Sequence, residues 1–283
     1  MKVKILTDST NDLGKDLLEE LDIACIPLMV NFPDQTYLDG IEIQTEELYK
    51  KVEQTNELPK TAAVPIYTFV EEFEKYVNDG YEVVYMGISR QMSRTFENAV
   101  LASREVNEEK IQVIDSMNLS TGIGLLLLKA AKYRDQGMNA SQIAERINKD
   151  RTRVLSQFAI ETMDYLHKGG RCSSVAKFVG TFLKIKPVIA VREGKMGVTA
   201  KPRGRMKVAL DVLIEQLKQD LPRLDKDAVF ITHSLAPEYS DYIYEQISPL
   251  LEGVKIYTTV AGCVISSHCG KGTIGILYMI NEE

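Results

Sequence analysis

The stretch "VKILTDST", residues 3–10, is a short apolar run that stops abruptly in four small polar residues. Read as a strand, it leaves hydroxyls and a carboxylate at its carboxyl end. The pattern recurs in "EVVYMGIS" (82–89) and "IQVIDS" (111–116), while "IACIPLMV" (23–30) is continuously apolar, as a strand covered on both faces should be. Between these runs lie segments of helical spacing: "TEELYKKVEQ" (45–54), "PIYTFVEEFEKYVNDG" (65–80), a helix from about residue 95, and a long one from about 120 to 137. Strand, crossover and strand in this order predict a doubly wound, mostly parallel α/β sheet. In such a sheet the ligand crevice lies beyond the carboxyl ends of the strands. Thr7, Asp8 and Ser9, then Ser89, then Asp115 and Ser116 are therefore expected to face it.

The texture changes near residue 152. "VLSQFAIETMDYL" (154–166) leads into "KGGR", a helix is predicted over 173–186 and stopped by Pro187, and "VIAVREGKMGVTAKPRG" (188–204) reads as a hairpin turning at 193–196. A helix (206–221), the strand "AVFITHS", a helix from Pro237, the strand "VKIYTTV" and a closing strand from Thr273 follow. The expectation is an N-terminal doubly wound domain over 1–152 and an α+β domain with a mainly antiparallel sheet over 153–283.

The 283 residues are 45% hydrophobic, enough for a substantial core. No run of roughly 18 apolar residues is present, and the start lacks the apolar block of a secretion signal. A cytoplasmic location is expected. Cys25, Cys172, Cys263 and Cys269 lack the paired spacing of a zinc site or a disulfide framework, and are read as free thiols. A net charge of −6 argues against nucleic acid as a partner. Yet residues 166–207 hold eleven basic side chains against the single acid Glu193, so the rest of the chain is more acidic than the total suggests. Such a patch is either a docking face or anion site, or the solvated face of one helix.

"ISSHCGKGTIGILY" (265–278) invites two chemical readings, and neither holds. "GKGT" resembles the end of a phosphate-binding loop, but that loop needs a glycine where Ile265 stands and a helix where "TIGILYMI" alternates like a strand. A metal site at Cys263, His268 and Cys269 lacks further ligands, and in extended chain the adjacent His268 and Cys269 would point to opposite faces. No metal and no cofactor is expected, and no serine sits in a nucleophile-elbow pattern. What remains is a histidine beside glycines, with Thr61 in "LPKTAAVP" and Ser93 in "SRQMSRT" each on a loop just before a predicted helix. Each is by itself an ordinary cap, turn or satisfied side chain; together they suit hydrogen bonds to a small anionic head group.

Read together, "TDSTNDL" (7–13), "PLMV" (27–30), "PKT" (59–61), "DSMNLSTGIG" (115–124), "ETMDYLHKGGR" (161–171), "KPVIAVREGKM" (186–196), "THSLAPEY" (232–239) and "SSHCGKGTIGILY" (266–278) resemble the DegV family over almost the full length. Its characterised members are fatty-acid-binding subunits of a bacterial fatty acid kinase. The resemblance implies one long-chain fatty acid in a tunnel between the two domains, its carboxylate held by Thr61, Ser93 and His268. It implies that Arg171 and Arg203, both inside the basic patch, lie near the head group or on the surface that meets an ATP-dependent fatty acid kinase. The chain would be a carrier and not a catalyst, with transient contact to a membrane surface. Candidate tunnel residues are Ile26, Leu28, Met92, Phe96, Ile160, Phe178, Phe182 and Ile189, all of which also suit an ordinary core. Where the family usually reads S-G-T, this chain has Ser93, Arg94 and Thr95, which sets a cation beside the head-group loop; where the family reads G-P-G-T, Lys271 takes the proline's place.

Two rival readings stay open at this level. Related folds serve small sugar or ketone kinases and phosphotransferase components, for which a histidine near an N-terminal strand tip is expected; all three histidines lie beyond residue 152. The other is a docking module without a ligand.

Overall fold

The computed structural model describes residues 2–170 and 185–281. Strands β1 (Lys2–Asp8), β2 (Ile23–Ile26), β6 (Tyr81–Gly87) and β7 (Ile111–Asp115) form a parallel sheet in the order β2-β1-β6-β7. The run "IACIPLMV" is not one strand. Pairing of β2 with β1 stops at Ile26, where Pro27 has no N–H to offer the ladder. The chain then enters a separate three-stranded antiparallel sheet, order β4-β3-β5, from β3 (Met29–Asn31), β4 (Thr36–Leu38) and β5 (Lys60–Ala62). This small sheet carries Thr61.

Strands from residue 154 onward form a six-stranded sheet: β8 (Val154–Ala159), β9 (Val188–Arg192), β10 (Lys195–Ala200), β11 (Leu224–His233), β12 (Lys255–Val260) and β13 (Ile274–Ile280), in the order β10-β9-β8-β13-β11-β12. Every pairing is antiparallel except β11 with β12. The predicted hairpin joins β9 and β10, and its turn residues Glu193 and Gly194 both have positive φ (50° and 76°), the twist that suits a two-residue hairpin loop.

Helix α5 (Thr121–Asp135) explains how the two sheets share a core. Its sequence "TGIGLLLLKAA" has no polar stripe in its first turns, so it must be covered all round. Ile123, Leu126 and Leu127 join one cluster with Ile5 and Val84 of the parallel sheet and with Phe230 and Leu277 of the mixed sheet. Helices α3 (Ile66–Asn78) and α4 (Thr95–Val106) cover the other face of the parallel sheet, and α8 (Met206–Asp220) and α9 (Pro237–Ile247) cover the outer face of the mixed one. The predicted helix over 173–186 falls largely outside the described residues.

One further element differs from expectation. Cys263–Cys269, read as extended chain, is helix α10, closed by Gly270 at φ 82°. His268 and Cys269 are therefore helical neighbours at its last turn, and the strand that follows "GKGT" is β13.

Candidate ligand-binding site

An apolar pocket, open in part to solvent, lies where β5, α10, the loop before α4 and one end of the mixed sheet meet. Its wall is mainly apolar: Leu28, Met92, Leu119, Phe158, Met196 and Leu277 contribute. Hydroxyls of the wall such as Ser120 and Ser234 are turned into the protein, donating to Asp12 in the first case and bonded to Tyr49 and Ser266 in the second.

Thr61 and His268, 207 residues apart in the chain, meet on this wall with Thr61 Oγ1 and His268 Nε2 2.7 Å apart. Both are half-buried. The ring fits only because residue 169 lacks a side chain: a Cβ there would stand 2.4 Å from His268 Nδ1. Gly270, already at positive φ, likewise clears the ring of Tyr165, which a Cβ at that position would approach to 2.8 Å. Ser93 lines the same cavity while its Oγ accepts the Thr95 amide at 3.2 Å and lies 2.9 Å from Thr95 Oγ1, so it closes a short turn leading into α4.

The remaining sequence candidates divide. Leu28 and Met92 line the cavity. Ile26, Phe96, Ile160 and Ile189 are not among its lining residues: Ile26 belongs to the buried cluster that includes Leu6, Leu28 and Val30, Ile160 and Ile189 lie in the cluster with Phe158 and Met196, and Phe96 is half-buried on α4. Arg94 and Arg203 are exposed and line no part of it. Arg171, Phe178 and Phe182 lie outside the described residues.

The strand tips also depart from expectation. Thr7, Asp8, Ser9, Ser89, Asp115 and Ser116 do not line the cavity. Asp8 is spent on Thr10 N and Oγ1, Tyr85 OH and Ile88 N, and Ser89 Oγ donates to Gly194 O at 2.9 Å. Residues just past the tips, Ile88 and Ser93, Leu119 and Ser120, take their place. His233, part of "THSLAPEY" but without any sign of a role in the sequence, lines the cavity too. Burial holds its pKa below the usual histidine value, and Nδ1 accepts the Ala236 amide at 3.2 Å, which puts the ring proton of the neutral form on Nε2. Among the described residues no group of histidine, cysteine and carboxylate side chains is arranged to hold a metal ion.

Fold and cavity define an α/β protein of three sheets with a mostly apolar pocket and a hydroxyl–imidazole pair on its wall. The family model described as "Uncharacterised protein, DegV family" matches residues 2–281, and the chain belongs to that family. It is 34% identical over 280 residues to a DegV domain-containing protein of Clostridium perfringens, covering 98% of each chain. The structure of a fatty-acid-binding DegV family protein from Thermus thermophilus superposes with a TM-score of 0.92 at 26% identity, over 99% of this chain and all of that one. A stearic-acid-binding protein from Eubacterium ventriosum superposes with a TM-score of 0.88 at 27% identity, over 99% and 98%.

Proposed function

We propose that this chain binds a long-chain fatty acid, with its tail in the apolar cavity and its carboxylate at Thr61, His268 and Ser93. The observation that carries the reading is the pairing of Thr61 with His268 on the wall of a cavity that is otherwise mostly hydrocarbon. About 14 buried methylenes at roughly 0.8 kcal/mol each offer on the order of 11 kcal/mol of gross transfer energy, which association and ordering costs reduce. A carboxylate placed there costs several kcal/mol unless it is hydrogen-bonded, and hydroxyls with an imidazole supply those bonds. The tail thus provides affinity and the head-group residues orient it. Similarity to proteins named for fatty acid binding supports the same ligand.

In this reading the chain is a carrier that presents the carboxylate to an ATP-dependent fatty acid kinase, which forms the acyl phosphate. The exposed cations Arg94 and Arg203 are available for such a partner or for a transient membrane contact. Native mass spectrometry of the purified protein is the direct test: a species heavier than the bare chain by one fatty acid is expected, and a chain that stays bare after incubation with palmitate overturns the reading.

A further inference from the structure

Helix α10 carries His268 in its last turn, but its first turn is held from the other half of the chain. Asp12 Oδ1 accepts the Gly262 amide at 2.8 Å. Asp39 accepts Cys263 N–H at 2.8 Å through Oδ1 and Val264 N–H at 3.3 Å through Oδ2. These are the donors that the start of a helix leaves without partners inside the helix. Both carboxyls are buried and are themselves held, Asp12 by Ser120 Oγ at 2.5 Å and Asp39 by Ser9 Oγ at 2.8 Å. They stand so close to the chain that a Cβ at residue 262 would lie 3.3 Å from Asp12 Oδ1 and 3.4 Å from Asp39 Oδ1. Further contacts come from α2 (Thr45–Thr55): Thr45 Oγ1 donates to Ala261 O at 2.6 Å and Tyr49 OH to Ser266 O at 3.2 Å.

A seven-residue helix has little stability of its own, so its direction is set by what holds its ends. His268 sits five residues along from Cys263, a lever of about 8 Å. A tilt of about 10° at the first turn moves the imidazole by more than about 1 Å, enough to break its hydrogen bond to Thr61.

We propose that Asp12 and Asp39 are positioning residues for the ligand site: by seating the first turn of α10 they set where the His268 imidazole meets Thr61. The choice of palmitate as probe rests on the fatty-acid reading above; the placement of His268 does not. The experiment compares Asp39→Ala, Asp12→Ala and the near-isosteric Asp39→Asn with Ile143→Ala, a core truncation in α6 (Ala140–Asp150) away from α10. Two readouts are taken: the His268 imidazole resonances of the ligand-free protein, and palmitate affinity well below the melting temperature. Asp39→Ala is expected to shift the imidazole resonances and weaken palmitate by at least about tenfold. Asp39→Asn keeps an acceptor for Cys263 N–H and is expected to stay within about threefold of the parent. Ile143→Ala is expected to lower the melting temperature and move neither readout. The proposal is overturned if both alanine variants leave imidazole and affinity unchanged, or if Ile143→Ala moves them equally. Should Asp39→Ala fail to fold, Asp12→Ala, which removes a single bond to the helix, decides the matter, and unshifted resonances there overturn the proposal. If the parent protein binds no palmitate, the fatty-acid reading falls while the imidazole shifts still decide the positioning role.

Discussion

Two polar clusters sit close to the same crevice: the tip of β1 around Asp8, and the junction of β5 with α10 around Thr61 and His268. Asp8 receives four hydrogen bonds, from the Thr10 amide and hydroxyl, from Tyr85 OH at 2.9 Å and from Ile88 N at 3.0 Å. A carboxylate has about four lone-pair directions, so this one is full. It is wholly buried and does not line the cavity that holds Thr61 and His268. Gly87 stands directly against it, where a Cβ would come within 2.0 Å of Asp8 Oδ2. Thr61, by contrast, has a hydroxyl that bonds His268 and keeps a lone pair over, on a wall that faces open space. Residue type does not separate a structural knot from a ligand site; leftover hydrogen-bonding capacity beside a void does.

The widest test of that distinction is Asp8→Ala. Stranding several buried donors at about 1–3 kcal/mol each should cost about 4 kcal/mol or more of stability, while whatever folds keeps its palmitate affinity. Chemical denaturation together with a binding titration checks both. A stable variant with lost affinity would mean that the knot is the site.

Asp12 lies near Asp8 on one side and Asp39 on the other. Burial, with Asp39 and Asp8 nearby, pushes its pKa from the ordinary 3.8 to about 8 against the bonds from Ser120 and Gly262. The folded chain therefore keeps a proton that the unfolded chain loses near pH 4. Between those values the native state binds more protons, so stability falls as pH rises. Burial raises the pKa of Asp8 and Asp39 as well, in the same direction. From about pH 5 to about pH 8 the parent should lose on the order of 3 kcal/mol more than Asp12→Asn, whose amide keeps the neutral shape. Parallel pH profiles for the two would show that Asp12 is charged throughout and belongs with ordinary helix caps.

What was legible in the sequence follows the same division between local and non-local causes. The parallel sheet could be read because strand runs and helical spacing are local patterns, and so could the hairpin at Glu193 and Gly194. Pro27 stands in plain view inside "IACIPLMV", but continuous hydrophobicity outweighs it, and the chain changes sheets there. Helix α10 was not legible: its seven residues have little helical signal, and its caps, Asp12 and Asp39, come from more than 220 positions away. Nor could composition tell wall from core. Leu28 lines the cavity and Ile26, two residues earlier, does not, yet both are buried aliphatics of one cluster. Thr61 and His268 could each be picked out as a loop hydroxyl and a histidine beside glycines, but their joint role on one ligand came through family resemblance, since nothing local links residues 207 apart.

Thr61→Val isolates the site with the least disturbance to the fold. Valine keeps the branched shape that suits β5 and deletes only the hydroxyl. Because Thr61 and His268 are half-buried, water can take up the freed ring nitrogen, so stability should stay within about 0.5 kcal/mol of the parent. A ligand carboxylate has no such substitute if it needs both the hydroxyl and an imidazole held in place by it. Palmitate affinity should then fall about tenfold, which corresponds to about 1.4 kcal/mol, and Thr61→Ser should restore most of it. The ratio between the two measurements is what matters: Asp8→Ala should cost stability without affinity, and Thr61→Val affinity without stability. If Thr61→Val unfolds the protein as readily as it weakens binding, the Thr61–His268 bond is a lobe-to-lobe tether of the same kind as the Asp8 knot, and the carboxylate must be held elsewhere on the cavity wall, with the neutral His233 the next group to replace.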